Sequence, residues 1–263
     1  MGGFGAIGAW LSLVAAVVAS ALLAVGSVLL RSRFLSADTG PEHEHNTILS
    51  PFLTVVGILY GALLSFVVVV GWQQFLSAEE NVSNEASTLT TMYHQTIAMP
   101  QPEQSQLREQ LRHYAEAVQR PEWGKQASDL TSDTSRSAIT RMYRIVGSVQ
   151  SNTEASQVNQ DFLGRLDILV SQRSKRILDA TSRIPPLLWC SLIFGGVVLI
   201  ALTGLLRLAS NRAHMILVSA VAVMLALLLY LVFVLDHRFG PLGATPRPFA
   251  YAVTVFDAVD SGR

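Results

Sequence analysis

Charge is scarce in this chain of 263 residues, and cysteine is almost absent. Charged residues make up 14% of the sequence, whereas a typical soluble domain has about 25%. The 19 basic and 19 acidic residues balance, so bulk charge does not favour binding to nucleic acid or to an acidic substrate. The single cysteine, Cys190, excludes an intrachain disulfide and a cysteine metal cluster. We therefore expect no nucleic-acid partner, no metal and no cofactor.

The missing charge is concentrated in four apolar runs that contain no Lys, Arg, Asp or Glu. An α-helix needs about 20 residues to cross the hydrocarbon core of a bilayer. The sequence therefore predicts an all-α, multi-pass membrane protein with four transmembrane helices. The runs are Ile7–Leu30, Phe52–Val70, Pro186–Leu206 and Met215–Leu235.

The block between the second and third runs is large enough for a domain. Its apolar residues recur at helical spacing, as at Leu107, Leu111, Tyr114 and Val118, and strand-like alternation is missing. We expect a helical domain here, and an extended strap at the C-terminus, which is rich in Gly and Pro. The predicted division is 1–72 for two transmembrane helices, 73–185 for the helical domain, 186–236 for two further transmembrane helices and 237–263 for the strap.

In the second apolar run, two sets of similar residues recur every four positions, so each set lies along one side of the predicted helix. Small residues at this spacing are typical of helix contacts in membranes, and Gly57, Gly61 and Ser65 form such a ridge. One position further along runs an apolar stripe of Ile58, Ala62 and Phe66. Two interpretations are open: both are plain packing faces, or the stripe lines a narrow apolar pore constriction. Four helices leave little room for a pore, so a pore requires a symmetric ring of subunits.

The sequence lacks the residues that are characteristic of several functional classes of protein. The apolar runs hold no ionisable group away from their ends, which disfavours proton pumps, carboxylate relays and voltage sensors. No nucleophile motif, glycine-rich phosphate loop or HExxH helix is present. We therefore expect that the protein is not an enzyme.

Two groups of charged residues are candidates for sites at the mouths of a pore. A positive group, Arg173, Lys175, Arg176 and Arg183, suits anionic lipid head groups or a vestibule that concentrates anions. The acidic residues Glu79, Glu80 and Glu85 would instead favour cations. Solvated helix faces are the simpler interpretation of both groups.

The run from Glu42 to His45 is the densest set of possible metal ligands. A metal site needs three or four converging ligands, so we expect a solvated polar loop instead. In a ring of subunits, His43 and His45 near one mouth would make conduction sensitive to pH between about 5 and 7.

Several segments in order together resemble the bestrophin family of pentameric ion channels, and more closely its bacterial and plant bestrophin-like branch. They are Ser50–Phe52, Gly57–Phe66, Trp72–Phe75 with Ala78, Glu85–Leu89, Tyr114–Ala115, Glu122–Trp123, Arg183–Trp189 and Leu235–Gly240. The resemblance implies a homopentamer around a central pore, with the helical domain and both termini in the cytosol. It also places the neck at Ile58, Ala62 and Phe66, the stripe already found by spacing.

The orientation and one motif depart from the family pattern. Arg31 and Arg33 after the first run favour an outside N-terminus, against the orientation that the resemblance implies. The family's acidic stretch after the fourth helix appears as Asp236–Phe239, with a single carboxylate. A calcium site needs about six oxygen ligands, so we expect no calcium gating there.

Together with the resemblance, the sequence favours a homopentameric ion channel of the inner (plasma) membrane, whose partners are further copies of itself, the bilayer and inorganic ions. The alternative is a non-conducting membrane scaffold or sensor, whose helical domain binds a partner while its membrane helices serve as anchors.

Overall fold

The computed structural model describes residues 11–15, 17–20, 22, 25–26, 42–119, 123, 133–148, 153–206, 210–239 and 242–262. All regular secondary structure in these residues is helical, which confirms the all-α prediction. The helices are α1 (Leu11–Ser20), α2 (Glu42–Gln95), α3 (Glu103–Ala117), α4 (Asp133–Ser148), α5 (Thr153–Thr181), α6 (Pro186–Leu205), α7 (Asn211–Asp236) and α8 (Arg247–Asp260).

Within the described ranges, three helical stretches are long and apolar enough to cross a membrane. They are Asn46–Ala98, Gln157–Leu205 and Arg212–Asp236, the second of which includes the break between α5 and α6. Of their most apolar windows, 17%, 22% and 28% are buried inside the chain, so most of this surface is left for lipid or for another copy. Much of the first predicted run, Ile7–Leu30, lies outside the described residues, and α1 itself is shorter than a span.

The chain divides into two compact units. The membrane unit consists of Met1–Gln73 and Arg183–Asp236, and the helical domain consists of Gln74–Ser182 and His237–Arg263. The C-terminal segment therefore belongs to the helical domain rather than forming a division of its own.

The core of the membrane unit forms where α2 meets α6 and α7. Tyr60, Leu64 and Val67 of α2 are buried there with Leu192 of α6 and with residues of α7. The Tyr60 ring covers two consecutive glycines of α6: a Cβ added at Gly195 would lie 2.6 Å from the Tyr60 Cδ2 atom. The Tyr60 hydroxyl donates a hydrogen bond of 3.1 Å to the carbonyl of Leu192. A large ring on a flat glycine surface thus brings α2 and α6 close together.

The core of the helical domain follows the apolar spacing found in the sequence. Leu107, Leu111, Tyr114 and Val118 are each buried, and they lie on the inner face of α3 and the turn that follows it. Phe162, Leu166 and Leu169 of α5 belong to the same core. These residues confirm that the domain is a bundle of amphipathic helices.

The C-terminal segment is helical where the sequence predicts an extended strap. Helix α8 runs from Arg247 to Asp260, and it buries Phe249, Ala252 and Phe256. These residues are three and four positions apart, which is the spacing of one helix face. The prediction is wrong because proline breaks a helix in its interior and not in its first turn. Pro246 and Pro248 lie at the beginning of α8, where the first turn needs no backbone donor.

Candidate functional site

The apolar stripe of α2 is left exposed by the chain. Ile58 and Phe66 are each 66% exposed, and Ala62 is exposed as well. With about 100° per residue, the stripe points roughly 170° away from the buried residues Tyr60, Leu64 and Val67. Helix α2 therefore packs within the membrane unit through one face and presents the predicted neck residues on the opposite face.

The small-residue ridge lies on the flank between these two faces. A Cβ added at Gly57 would be 3.9 Å from Leu199, and one at Gly61 would meet none of the described residues within 4 Å. Ser65 is exposed. Within the chain, the close helix contact is made by Tyr60 on Gly195 and Gly196 instead. The ridge is thus largely open, and its role as a contact face stays a prediction.

Three of the predicted surface charges, Glu85, Arg173 and Arg176, are buried in the helical domain, and two of them form an ion pair. Glu85 of α2 and Arg176 of α5 are both 0% exposed, so neither can face a vestibule or a lipid head group. Arg176 Nε donates to Glu85 Oε2 at 2.6 Å, and Arg176 Nη2 donates to Glu85 Oε1 at 3.1 Å. Charges are buried in proteins when they are paired and hydrogen-bonded in this way.

Two aromatic residues complete this buried charge cluster. The hydroxyl of Tyr114, on α3, donates to Glu85 Oε1 at 2.6 Å. Burial and the neighbouring Glu85 carboxylate hold the pKa of the Tyr114 phenol well above its ordinary value. The guanidinium carbon of Arg176 lies 5.9 Å from the ring centre of Phe249, on α8. The cluster therefore joins four helices of the domain around one ion pair.

A signal for this cluster is present in the sequence. Glu85 stands at helical spacing in a row whose other members, Ala78, Val82, Leu89 and Met92, are apolar and buried. Arg176 likewise continues the buried row of α5 that contains Phe162, Leu166 and Leu169. A charged residue at a core position of each of two helices indicates a buried pair more than a surface charge.

The remaining candidate charges have separate environments. Arg173 is buried and donates from Nε to the Ser135 hydroxyl at 3.1 Å. Arg183, in the membrane unit, donates from Nη1 to the carbonyl of Asp236 at 2.9 Å. Glu79, Glu80 and Lys175 are exposed and stay candidates for a charged mouth.

The residues at the end of α7 and just after it form hydrogen bonds within their own units. The Asp236 carboxylate accepts from the backbone N–H of Ile184 at 2.6 Å and from Trp189 Nε1 at 3.3 Å. Arg238 is buried, donates to the carbonyls of Asp179 and Ser182 at 2.8 and 3.1 Å, and also bonds the side chain of Gln74. The stretch from Asp236 thus contributes contacts that fasten the ends of neighbouring helices.

The predicted histidine site lies at a helix start. Because α2 begins at Glu42, His43 and His45 are in its first turn and not in a loop, while their side chains are outside the described part of the chain. In the described part, no three His, Cys, Asp or Glu side chains are grouped to hold a metal ion.

Comparisons with known proteins agree on one family. The family model of the bestrophin-like domain matches residues 16–249. A crystal structure of a bacterial bestrophin homologue from Klebsiella pneumoniae with a W252A mutation has a TM-score of 0.71 at 13% identity, over 96% of this chain and 99% of that one. The structure of the bacterial homologue from Klebsiella pneumoniae solved by Zn-SAD phasing has a TM-score of 0.66 at 12% identity, over 95% and 98%. No curated protein sequence shows a significant match.

Proposed function

Because the chain belongs to the bestrophin-like family, we propose that it forms a homopentameric ion channel in which α2 lines a central pore. The observation that carries the proposal is the exposed stripe of Ile58, Ala62 and Phe66, which lies opposite the packed face of α2. An exposed apolar face on a spanning helix meets either lipid or a shared axis. Family membership favours the axis.

The three faces of α2 suit a ring of subunits. If the stripe faces the axis, the Tyr60 face points outward onto α6 and α7 of the same subunit. The ridge of Gly57, Gly61 and Ser65 is then directed sideways, toward an adjacent copy. Small residues at spacing four allow close approach of two helices, so the open space at Gly61 suits a neighbouring α2.

The neck would gate by its apolar character. A ring of Ile58, Ala62 and Phe66 side chains offers no polar group to an ion, so water and ions pass only when the ring is wide enough to stay wet. Ala62 is the smallest of the three residues, and it marks the position where added volume should close the pore. In this arrangement the protein is a channel of the inner membrane with its helical domain in the cytosol, and it is not an enzyme.

Ion flux into liposomes that hold the purified protein tests this proposal. Ala62→Trp should reduce the flux, and Phe66→Ala should increase it. Matched controls use α6, where Ala201 and Phe194 are also exposed: Ala201→Trp and Phe194→Ala should leave the flux unchanged. Background flux in every preparation would favour the non-conducting scaffold.

The same assay at mild acid tests His43 and His45, because replacing both by Asn should remove any response between pH about 5 and 7.

A further inference from the structure

Helices α3 and α4 of the helical domain border a cleft of about 240 Å³ that carries charges of both signs. Its walls hold two arginines, a carboxylate, two amides and one apolar side chain. They are Gln106, Glu109, Gln110, Arg141, Arg144 and Ile145. The cleft is distant in sequence from the stripe of α2, and the proposed pore makes no use of it.

The two arginines form a positive fork at one side of the cleft. Arg141 and Arg144 are three positions apart on α4, so they lie on the same face of that helix. Neither guanidinium is in an ion pair with a residue of the described ranges, and neither is the Glu109 carboxylate. Charges of both signs therefore line one cleft without neutralising each other.

Gln110 supplies an independent indication of a missing partner. Its side chain is buried, with 8% of the residue exposed, and it lines the same cleft. Its Oε1 atom has no hydrogen-bond partner in the part of the chain that the structure describes. Buried amide oxygens are nearly always hydrogen-bonded, so this acceptor marks a place for a donor from outside the chain.

We propose that the cleft binds a small zwitterion of the α-amino acid class. The carboxylate of the ligand would bind the guanidinium groups of Arg141 and Arg144, a geometry that arginine favours. Its ammonium group would face the Glu109 carboxylate and donate to Gln110 Oε1, while an apolar side chain rests on Ile145. The volume is below the range of about 300–1,000 Å³ that is typical for drug-sized ligands, which suits a small metabolite.

Calorimetric titration of the full-length protein in detergent tests the site with three related probes. L-Valine carries both charges, 3-methylbutanoate lacks the amine, and 2-methylpropan-1-amine lacks the carboxylate. Valine should bind, and each single-charge analogue should bind about tenfold more weakly or worse, because a charge-assisted hydrogen bond is lost. Inorganic phosphate serves as a fourth probe, for a simple anion site.

Variants connect the binding to the cleft. Arg144→Gln and Gln110→Leu should each weaken valine binding by about tenfold. Arg136→Gln is the matched control, since Arg136 is on the same helix but pairs with Asp133 at 3.8 Å, and it should leave binding unchanged. If Gln110→Leu does not fold, Arg141→Gln takes its place. Absence of heat with valine, equal affinity for all probes, binding of phosphate alone, or full affinity in Arg144→Gln would overturn the proposal. These results do not depend on ion conduction.

Discussion

The guanidinium of Arg176 binds the Glu85 carboxylate through two hydrogen bonds, at 2.6 and 3.1 Å, and both side chains are fully buried. The pair connects α2 with α5. Tyr114 donates to the same carboxylate from α3, so one carboxylate holds three helices. Removal of either charge leaves the other one buried without its counter-charge.

Glu85→Gln should destabilise the helical domain by about 3–5 kcal/mol, the cost of leaving a buried arginine uncompensated. The matched control is Glu79→Gln, an exposed carboxylate on the same helix, which should change stability by less than about 0.5 kcal/mol. Urea unfolding followed by far-UV circular dichroism measures both variants. Equal unfolding midpoints for Glu85→Gln and the wild type would show that the pair does not hold the helices together.

Alkaline pH should weaken the helical domain through Tyr114. Its folded-state pKa is raised by burial and by Glu85, so the unfolded chain loses this proton first, near pH 10. The stability that the neutral phenol contributes is therefore present below pH about 10 and is lost as the pH rises toward the folded-state pKa. Thermal melts from pH 8 to 11 should show this loss, and Tyr114→Phe should flatten it.

Tyr143 provides the comparison for that experiment. Partial burial and a hydrogen bond to Asp167 raise the pKa of Tyr143 to about 12. Tyr143 is more open to solvent than Tyr114, so Tyr143→Phe should alter the alkaline slope much less. An identical slope in the wild type and Tyr114→Phe would contradict the assignment to Tyr114.

The contact of Tyr60 with α6 predicts opposite outcomes at two glycines. Gly195→Ala places a Cβ 2.6 Å from the Tyr60 ring, so it should lower the melting temperature of the membrane unit. In the part of the chain that the structure describes, a Cβ at Gly61 meets nothing within 4 Å, so Gly61→Ala should leave that melting temperature unchanged. Gly61→Leu should instead separate the subunits, if the ridge contacts an adjacent copy. Scanning calorimetry and native mass spectrometry measure the two effects, and a reversed order of the two alanine variants would refute the contact.

Helix α8 should be held by its aromatic residues more than by its ion pairs. The Phe256 ring stacks on Tyr93 with ring centres 4.1 Å apart, and Phe256 is fully buried. Phe256→Ala should cost about 3–5 kcal/mol. Arg112 pairs with Asp257 at 2.7 Å and Asp260 at 3.1 Å near the surface, so Arg112→Ala should cost about 1 kcal/mol or less. The rate of proteolytic cleavage at the C-terminus measures the loss of stability in both variants. Faster cleavage in Arg112→Ala than in Phe256→Ala would contradict the prediction that the aromatic contact is the stronger of the two.

Helical periodicity predicts the class of fold and the inner faces of α3 and α5, because both are determined mainly by the burial of apolar residues. It misplaces Glu85, Arg173 and Arg176, because a charged residue taken by itself is expected to face water, and only a partner on another helix makes its burial favourable. The sequence predicts an extended segment where α8 lies, because proline breaks a helix in its middle. At the start of a helix, as in α8, proline is tolerated. The glycine ridge of α2 marks a face that permits close contact, whereas the contact inside the chain is between Tyr60 and the glycines of α6. Which helix packs on Tyr60 depends on the tertiary structure, and the spacing within α2 does not show it.

Single-particle imaging of the intact protein in detergent or nanodiscs tests the central claim most directly. We expect particles with five-fold symmetry in which Ile58, Ala62 and Phe66 of each copy surround the axis. Particles without five-fold averages, or a ring in which these three side chains face lipid, would contradict it.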